Sequence, residues 1–156
     1  MSYNPSTNLL TVVASNANLA ANGGGYALQA NFATAAFNPV ASTVYYGGGG
    51  TVAAATTSPD VRRLFIPKSG TIKAAYGFFV QTASASGTVY TLAIRNNGTT
   101  DTTIATAPHN LPTTTYSNTG LSIAVTQGQY IEVNWLTNAT GALPTNVIAN
   151  FSLYIE

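Results

Sequence analysis

From about residue 60 onward, apolar side chains recur at every second position. The clearest stretch is Arg62 to Gln81, RRLFIPKSGTIKAAYGFFVQ. It reads as strand, turn, strand. Pro67-Lys68-Ser69-Gly70 is the expected turn, with Pro presetting φ and Gly taking a positive φ. Beyond it, Ile72, Ala74, Tyr76, Phe78 and Val80 fall on one face, expected to be a core wall. Thr71, Lys73, Ala75, Gly77, Phe79 and Gln81 fall on the other.

The same period continues. Tyr90, Leu92 and Ile94 are expected inward, with Ile104 on a returning strand over Asp101 to Ala105. Asn97-Gly98 between them is a hairpin signal, because both residues tolerate the positive φ of a type I′ turn. Leu121, Ile123 and Val125 form the next inward set. Gln127-Gly128 is a turn, and Ile131, Val133 and Trp135 follow inward with Glu132 and Asn134 outward. Val147, Ala149, Phe151, Leu153 and Ile155 close the chain on one face.

Earlier in the chain, Val44-Tyr45-Tyr46 is a short strand, and Leu9 to Ala14 could be another. Gly47 to Gly50 reads as a turned or flexible loop. It does not read as a phosphate loop, since no Lys-Ser/Thr pair follows it. Tyr26 to Ala36 reads equally as a helix turn or an extended strand. Residues 1–40 carry no charged side chain and are rich in Asn, Ala and Gly. They form an expected N-terminal arm ahead of a domain over residues 41–156.

About eight short strands at this spacing predict an all-β fold, an antiparallel two-sheet β-sandwich. Eight strands in two sheets suggest a jelly roll. An immunoglobulin-like sandwich is the alternative.

Composition narrows the function classes. Charged residues make up 6% of the 156, against about 25% in a typical soluble domain. A net charge of +1 offers no field for nucleic acid or anionic lipid. There is no cysteine, so disulfides and thiolate metal sites are excluded. No run approaches 18 apolar residues, so no membrane insertion is expected. No Lys or Arg precedes the short apolar run Leu9–Ala14, which argues against a signal peptide and for synthesis in a cytoplasm.

The chemical inventory is thin. The single histidine, His109, sits in a Pro-flanked loop, and the acids are Asp60, Asp101, Glu132 and Glu156. No spacing among them selects a nucleophile, a base and an orienter, so the chain is read as not an enzyme. No cofactor is expected. A metal would have to lie on a symmetry axis, with one ligand from each subunit.

Polar aromatics are plentiful, with nine tyrosines among Asn-, Thr- and Ser-rich loops. Tyr116, Asn118, Asn138 and Thr140 are candidate glycan or surface contacts on that ground. Ala75, Gly77, Phe79 and Tyr154 lie on the outward phase of their strands and are the candidate subunit interface, since monomers rarely expose a flat apolar patch.

Several stretches resemble a family of viral jelly-roll domains from tailed-phage structural proteins and uncultured-virus sequence. These are VYYGGGG, RRLFIPKSGTIKAAYGFF, LAIRNNGTTDTTIAT, YSNTGLSIAVTQGQYIEVNW, LPTNV and the terminal LYIE, covering roughly residues 43–156. The IPKSGTI turn and the SNTGLSIAVTQGQYIEV block are the most specific. Related sequences carry an acidic residue where this chain has Gln129, and the departure removes a ligand that a metal there would need. Such domains are similar to C1q- and TNF-like jelly rolls, which form compact trimers. The resemblance implies a homotrimeric virion protein: a head fibre, a capsid decoration protein or a tail-fibre tip. Its implied partners are other virion proteins, gripped through the arm, and host surface glycans. A bacterial lectin-like adhesin is a further alternative.

Overall fold

The computed structural model describes residues 2–4, 9–11, 28–49, 53–54, 56–58, 62–82, 88–108, 113–139 and 141–156. Among them the regular structure is entirely β. Two short strands, β1 (Ser2–Asn4) and β2 (Leu9–Thr11), pair with each other. Eight longer strands build the body: β3 (Leu28–Ala35), β4 (Thr43–Gly49), β7 (Gly70–Val80), β8 (Thr88–Asn96), β9 (Thr100–Pro108), β10 (Thr113–Asn118), β12 (Tyr130–Ala139) and β13 (Ile148–Ile155). Three short ones are added at their margins: β5 (Ala53–Ala54), β6 (Leu64–Phe65) and β11 (Ile123–Val125).

The strand order is β10-β7-β13-β3 in one layer and β4-β12-β8-β9 in the other. Counting the eight long strands in chain order, the first layer runs sixth, third, eighth, first. The second runs second, seventh, fourth, fifth. That is the wrapped arrangement of a jelly roll, and the fold class expected from the periodicity is the one observed. The layers meet where Phe32 and Ala33 of β3 pair with Gly49 and Gly48 of β4. Beyond that seam they diverge, and β5 pairs with β3 while Thr56 pairs with Tyr46.

The expected turns appear where the chemistry demands them. Asn97 and Gly98 both have positive φ, 49° and 74°, and the Thr99 N–H donates to the Asn96 carbonyl at 3.2 Å. Gly128 has φ 82°, and the Gln129 N–H donates to Thr126 O at 3.1 Å. Gly70 differs from expectation: its φ is not positive. It opens β7, and its missing side chain leaves room for the Glu156 backbone carbonyl, 2.7 Å from where a Cβ would stand.

Two readings of the first half are revised. Within the open choice over Tyr26 to Ala36, Leu28–Ala35 is strand, since β3 lies inside the first layer between β13 and β4, while Tyr26 and Ala27 lie outside the described residues. Phe32 is fully buried, so the expected arm contributes a strand to the sandwich, which begins by Leu28. Gly47 to Gly49 are not a loop but the end of β4. Gly47 is a floor for Trp135, whose ring comes within 3.4 Å of a Cβ built there.

The core lies between the layers and is largely aromatic. Phe79 of β7 stacks on Tyr90 of β8 with ring centres 4.3 Å apart, and meets Phe151 of β13 edge-on at 5.3 Å. Trp135 of β12 packs on Phe151 at 5.3 Å and edge-on against Phe79 at 5.9 Å. Such tilted and offset geometries add about 0.5–1.5 kcal/mol per pair beyond area burial. Every inward residue expected on β13, from Ala149 to Ile155, is buried.

One expected face is inverted. In the β7–β13 ladder Ile72 faces Ile155 and Ala74 faces Tyr154, so Lys73 is an extra residue on β7. A bulge of this kind shifts the alternation by one position. Ile72 is inward before it, whereas Ala75 and Phe79 are buried after it. Tyr76 and Phe78, expected in the core, are 47% and 37% exposed. The expected interface of Ala75, Gly77, Phe79 and Tyr154 is therefore corrected. Ala75 and Phe79 belong to the core of the chain itself, Gly77 lies under Tyr116, and Tyr154 alone of the four is exposed.

Candidate functional site

The bulge builds an apolar outer surface on the first layer. Beyond Lys73 the outward positions of β7 are Ala74, Tyr76, Phe78 and Val80. Across the ladder they face Tyr154, Ser152, Asn150 and Ile148 of β13. On the other flank, Phe78 and Tyr76 face Thr115 and Ser117 of β10. Tyr154 and Ile148 are each 40% exposed, so four large side chains line a continuous stripe over two adjacent strands. A groove of about 300 Å³ opens at its end between Ala74, Tyr76, Ser152, Leu153 and Tyr154. No charged side chain lines that groove.

The second layer has the opposite character on its outer face. Glu132 and Asn134 point outward from β12 as expected, yet both are buried. The Arg63 Nε donates to Glu132 Oε1 at 3.2 Å, while the Arg63 guanidinium lies 4.2 Å over the Tyr130 ring. Arg95 holds Asp101 with two parallel hydrogen bonds, Nε to Oδ1 at 2.8 Å and Nη2 to Oδ2 at 2.7 Å. Asn134 Nδ2 also donates to Asp101 Oδ1 at 2.9 Å, and Arg95 Nη1 donates to the Tyr46 hydroxyl. The hydrogen bonds from Arg95 hold the Asp101 carboxyl below its usual range and raise the Arg95 guanidinium. Burial raises the Tyr46 phenol. Two guanidiniums, two carboxylates, an amide and a phenol pin strands β4, β8, β9 and β12 together, with Glu132 Oε2 left without a hydrogen-bond partner among the described residues. The cluster presents no base in reach of an activated nucleophile.

Of the four expected glycan contacts three lie among the described residues, two on β10 of the first layer and one on β12 of the second. Tyr116 and Asn118 lie in β10, not in a loop. The Tyr116 ring packs inward on Phe151 and Phe79, and burial pushes its phenol up. Asn118 is a structural clip, donating to Ile104 O at 2.8 Å and accepting from the Gly120 N–H at 3.0 Å. Asn138 is exposed at the far end of β12, opposite Val89. Thr140 lies outside the described residues, as does His109. Among the described residues no three His, Cys, Asp or Glu side chains gather as a metal site.

A second cleft, of about 330 Å³, sits at the mouth of the sandwich. The β8–β9 hairpin forms one wall, with Asn96 opposite Thr100 and Thr102 opposite the fully buried Ile94. Ile123 of β11 and Gln129 form the other side. Asn96 Nδ2 donates to Ala124 O at 3.0 Å and ties the two walls together. Sequence reasoning missed this cleft, because its residues read as a turn and a strand end. A signal existed in Asn96 and Thr102, polar side chains placed on the inward phase.

The fold and these surfaces define a jelly-roll domain with an apolar outer sheet face and an uncharged end cleft. Comparison with known proteins finds no matching family model and no matching curated sequence.

Proposed function

We propose that this chain is a non-enzymatic structural protein of a virus particle, a jelly-roll subunit that associates as a homotrimer on the particle surface as a head-fibre or capsid-decoration protein. The observation that carries the reading is the outward stripe of Tyr76, Phe78, Ile148 and Tyr154. Isolated soluble domains rarely leave a contiguous apolar patch in water, and such patches mark contact surfaces. A chain with only 6% charged residues has little self-repulsion to hold copies apart. Jelly rolls serve in viral capsids and in lectins, and this fold-level analogy supplies the setting.

Light scattering on the full chain tests it. The expected mass is three times the 16.1 kDa of one chain, and the charged variants Tyr76→Asp and Phe78→Asp are expected to run at one. A parent that remains monomeric across its soluble range overturns the reading. A receptor-binding tip recognising host glycans is the second reading, favoured by the uncharged cleft at the sandwich mouth.

A further inference from the structure

We propose that the cleft between the β8–β9 hairpin and β11 is a binding site for one sugar residue of a neutral glycan. Two observations converge on that ligand class. First, the lining is made of amides and hydroxyls, from Asn96, Asn97, Thr99, Thr100, Thr102 and Gln129, around one aliphatic side chain, Ile123. No charged side chain lines it. An anionic or cationic ligand would be desolvated there without a counter-charge, at high cost. A purely apolar ligand would leave the amides and hydroxyls unpaired. A polyhydroxylated ring has both the hydroxyls to exchange hydrogen bonds and an apolar C–H face to lie on Ile123.

Second, the volume is right. About 330 Å³ is at the small end of ligand clefts and holds a monosaccharide ring, not a flat cofactor. The wall is also fixed in place, since the Asn96 amide donates to Ala124 O at 3.0 Å.

The site is also pre-formed. Its hairpin wall is closed by Asn97 and Gly98 in their required positive φ and is buttressed by Tyr130, whose hydroxyl lies 2.6 Å from a Cβ built on Gly98. Pre-organisation of this kind lowers the ordering cost of binding. The assignment deepens the receptor-binding reading and rests on it for the source of the sugar. The binding itself requires neither the particle nor the trimer.

The test is saturation-transfer NMR on the full chain with a panel of methyl glycosides: galactoside, glucoside, mannoside and N-acetylglucosaminide. At least one is expected to bind, with amide shift changes confined to residues 96–102, 123 and 129. Thr102→Val and Gln129→Leu each remove one hydrogen-bonding group from the cleft. Each is expected to weaken that binding about three- to tenfold, the worth of one hydrogen bond. Binding that both variants leave unchanged, shift changes at some other surface, or no binding by any member of the panel overturns the proposal. A chain that binds sugar but stays monomeric would overturn the homotrimer reading alone.

Discussion

Tyr116 lies directly across Gly77, its partner in the β7–β10 ladder. The phenol occupies the space where a Cβ on residue 77 would stand, and the Asn150 carbonyl crowds the same point. The hydroxyl itself is buried without a hydrogen-bond partner among the described residues. Gly77→Ala is therefore expected to destabilise the fold by about 1–3 kcal/mol, the range for overpacking a filled site. For a domain of this size that lowers the melting temperature by several degrees. Tyr116→Phe should be neutral or slightly stabilising, because it removes an unsatisfied buried group. Thermal melts of both variants check the pair, and a Tyr116→Phe variant that loses several degrees would show that the hydroxyl is satisfied.

Phe78 and Phe79 are chain neighbours with opposite fates. Phe79 is fully buried against Tyr90, Phe151 and Trp135, while Phe78 is 37% exposed. Phe79→Ala is expected to cost about 3–5 kcal/mol in urea denaturation. Phe78→Ala should cost less than about 1 kcal/mol in folding, as surface substitutions do, and should shift the oligomer mass. Equal folding costs for the two would mean that the bulge at Lys73 is not formed.

That bulge also marks where the sequence stops being readable. The apolar run from Ala74 to Val80 contains large side chains in both phases, so alternation alone cannot choose a face. The single extra residue that decides it, Lys73, looks like any outward position. β10 was hidden for a related reason. Its half-buried positions are Thr114, Tyr116 and Asn118, which carry no aliphatic period. β3 sits in a segment of Asn, Ala and Thr in which Phe32 is the large side chain described as buried. The hairpin at Asn97-Gly98, the turn at Gly128 and the faces of β12 and β13 were legible, because turn chemistry and a clean two-residue period stand in the residues themselves. The expected eight strands match the eight long ones in number alone, because β3 and β10 replace two of the stretches read as strands, which form only the short β6 and β11. The end cleft was not, since it is made by two elements far apart in sequence meeting at Asn96 and Ala124.

Burial of Glu132 creates a further dependence. Its carboxylate is fully buried on the outer face of β12, and the Arg63 side chain, about one-third exposed, reaches it. Taking away the cation leaves a buried charge with a poorer counter-charge. Arg63→Ala is expected to cost about 2 kcal/mol, below the usual figure for a buried pair because Arg63 is partly solvated and Arg95 stands in register with Glu132. Combining it with Glu132→Gln should recover much of that loss. A double-mutant cycle by urea denaturation reads the coupling, and additive losses would show that the two side chains do not stabilise each other.

Asp101 makes stability respond to acid. Its carboxyl accepts two hydrogen bonds from Arg95 and one from Asn134, and its folded pKa lies below the ordinary 3.8. In acid the unfolded chain therefore binds the proton first. The stabilisation is complete above that ordinary value and fades as pH falls through the lower folded one. Tyr46 and Glu132 also face the Arg95 guanidinium, but they do not change this sign. Asp101→Asn is expected to be less stable than the parent at neutral pH, with a gap that narrows below the ordinary carboxylate range. Urea midpoints measured from neutral to strongly acidic pH follow that gap. A gap that stays constant across the range would mean that the Arg95–Asp101 pair is not what Asp101 contributes.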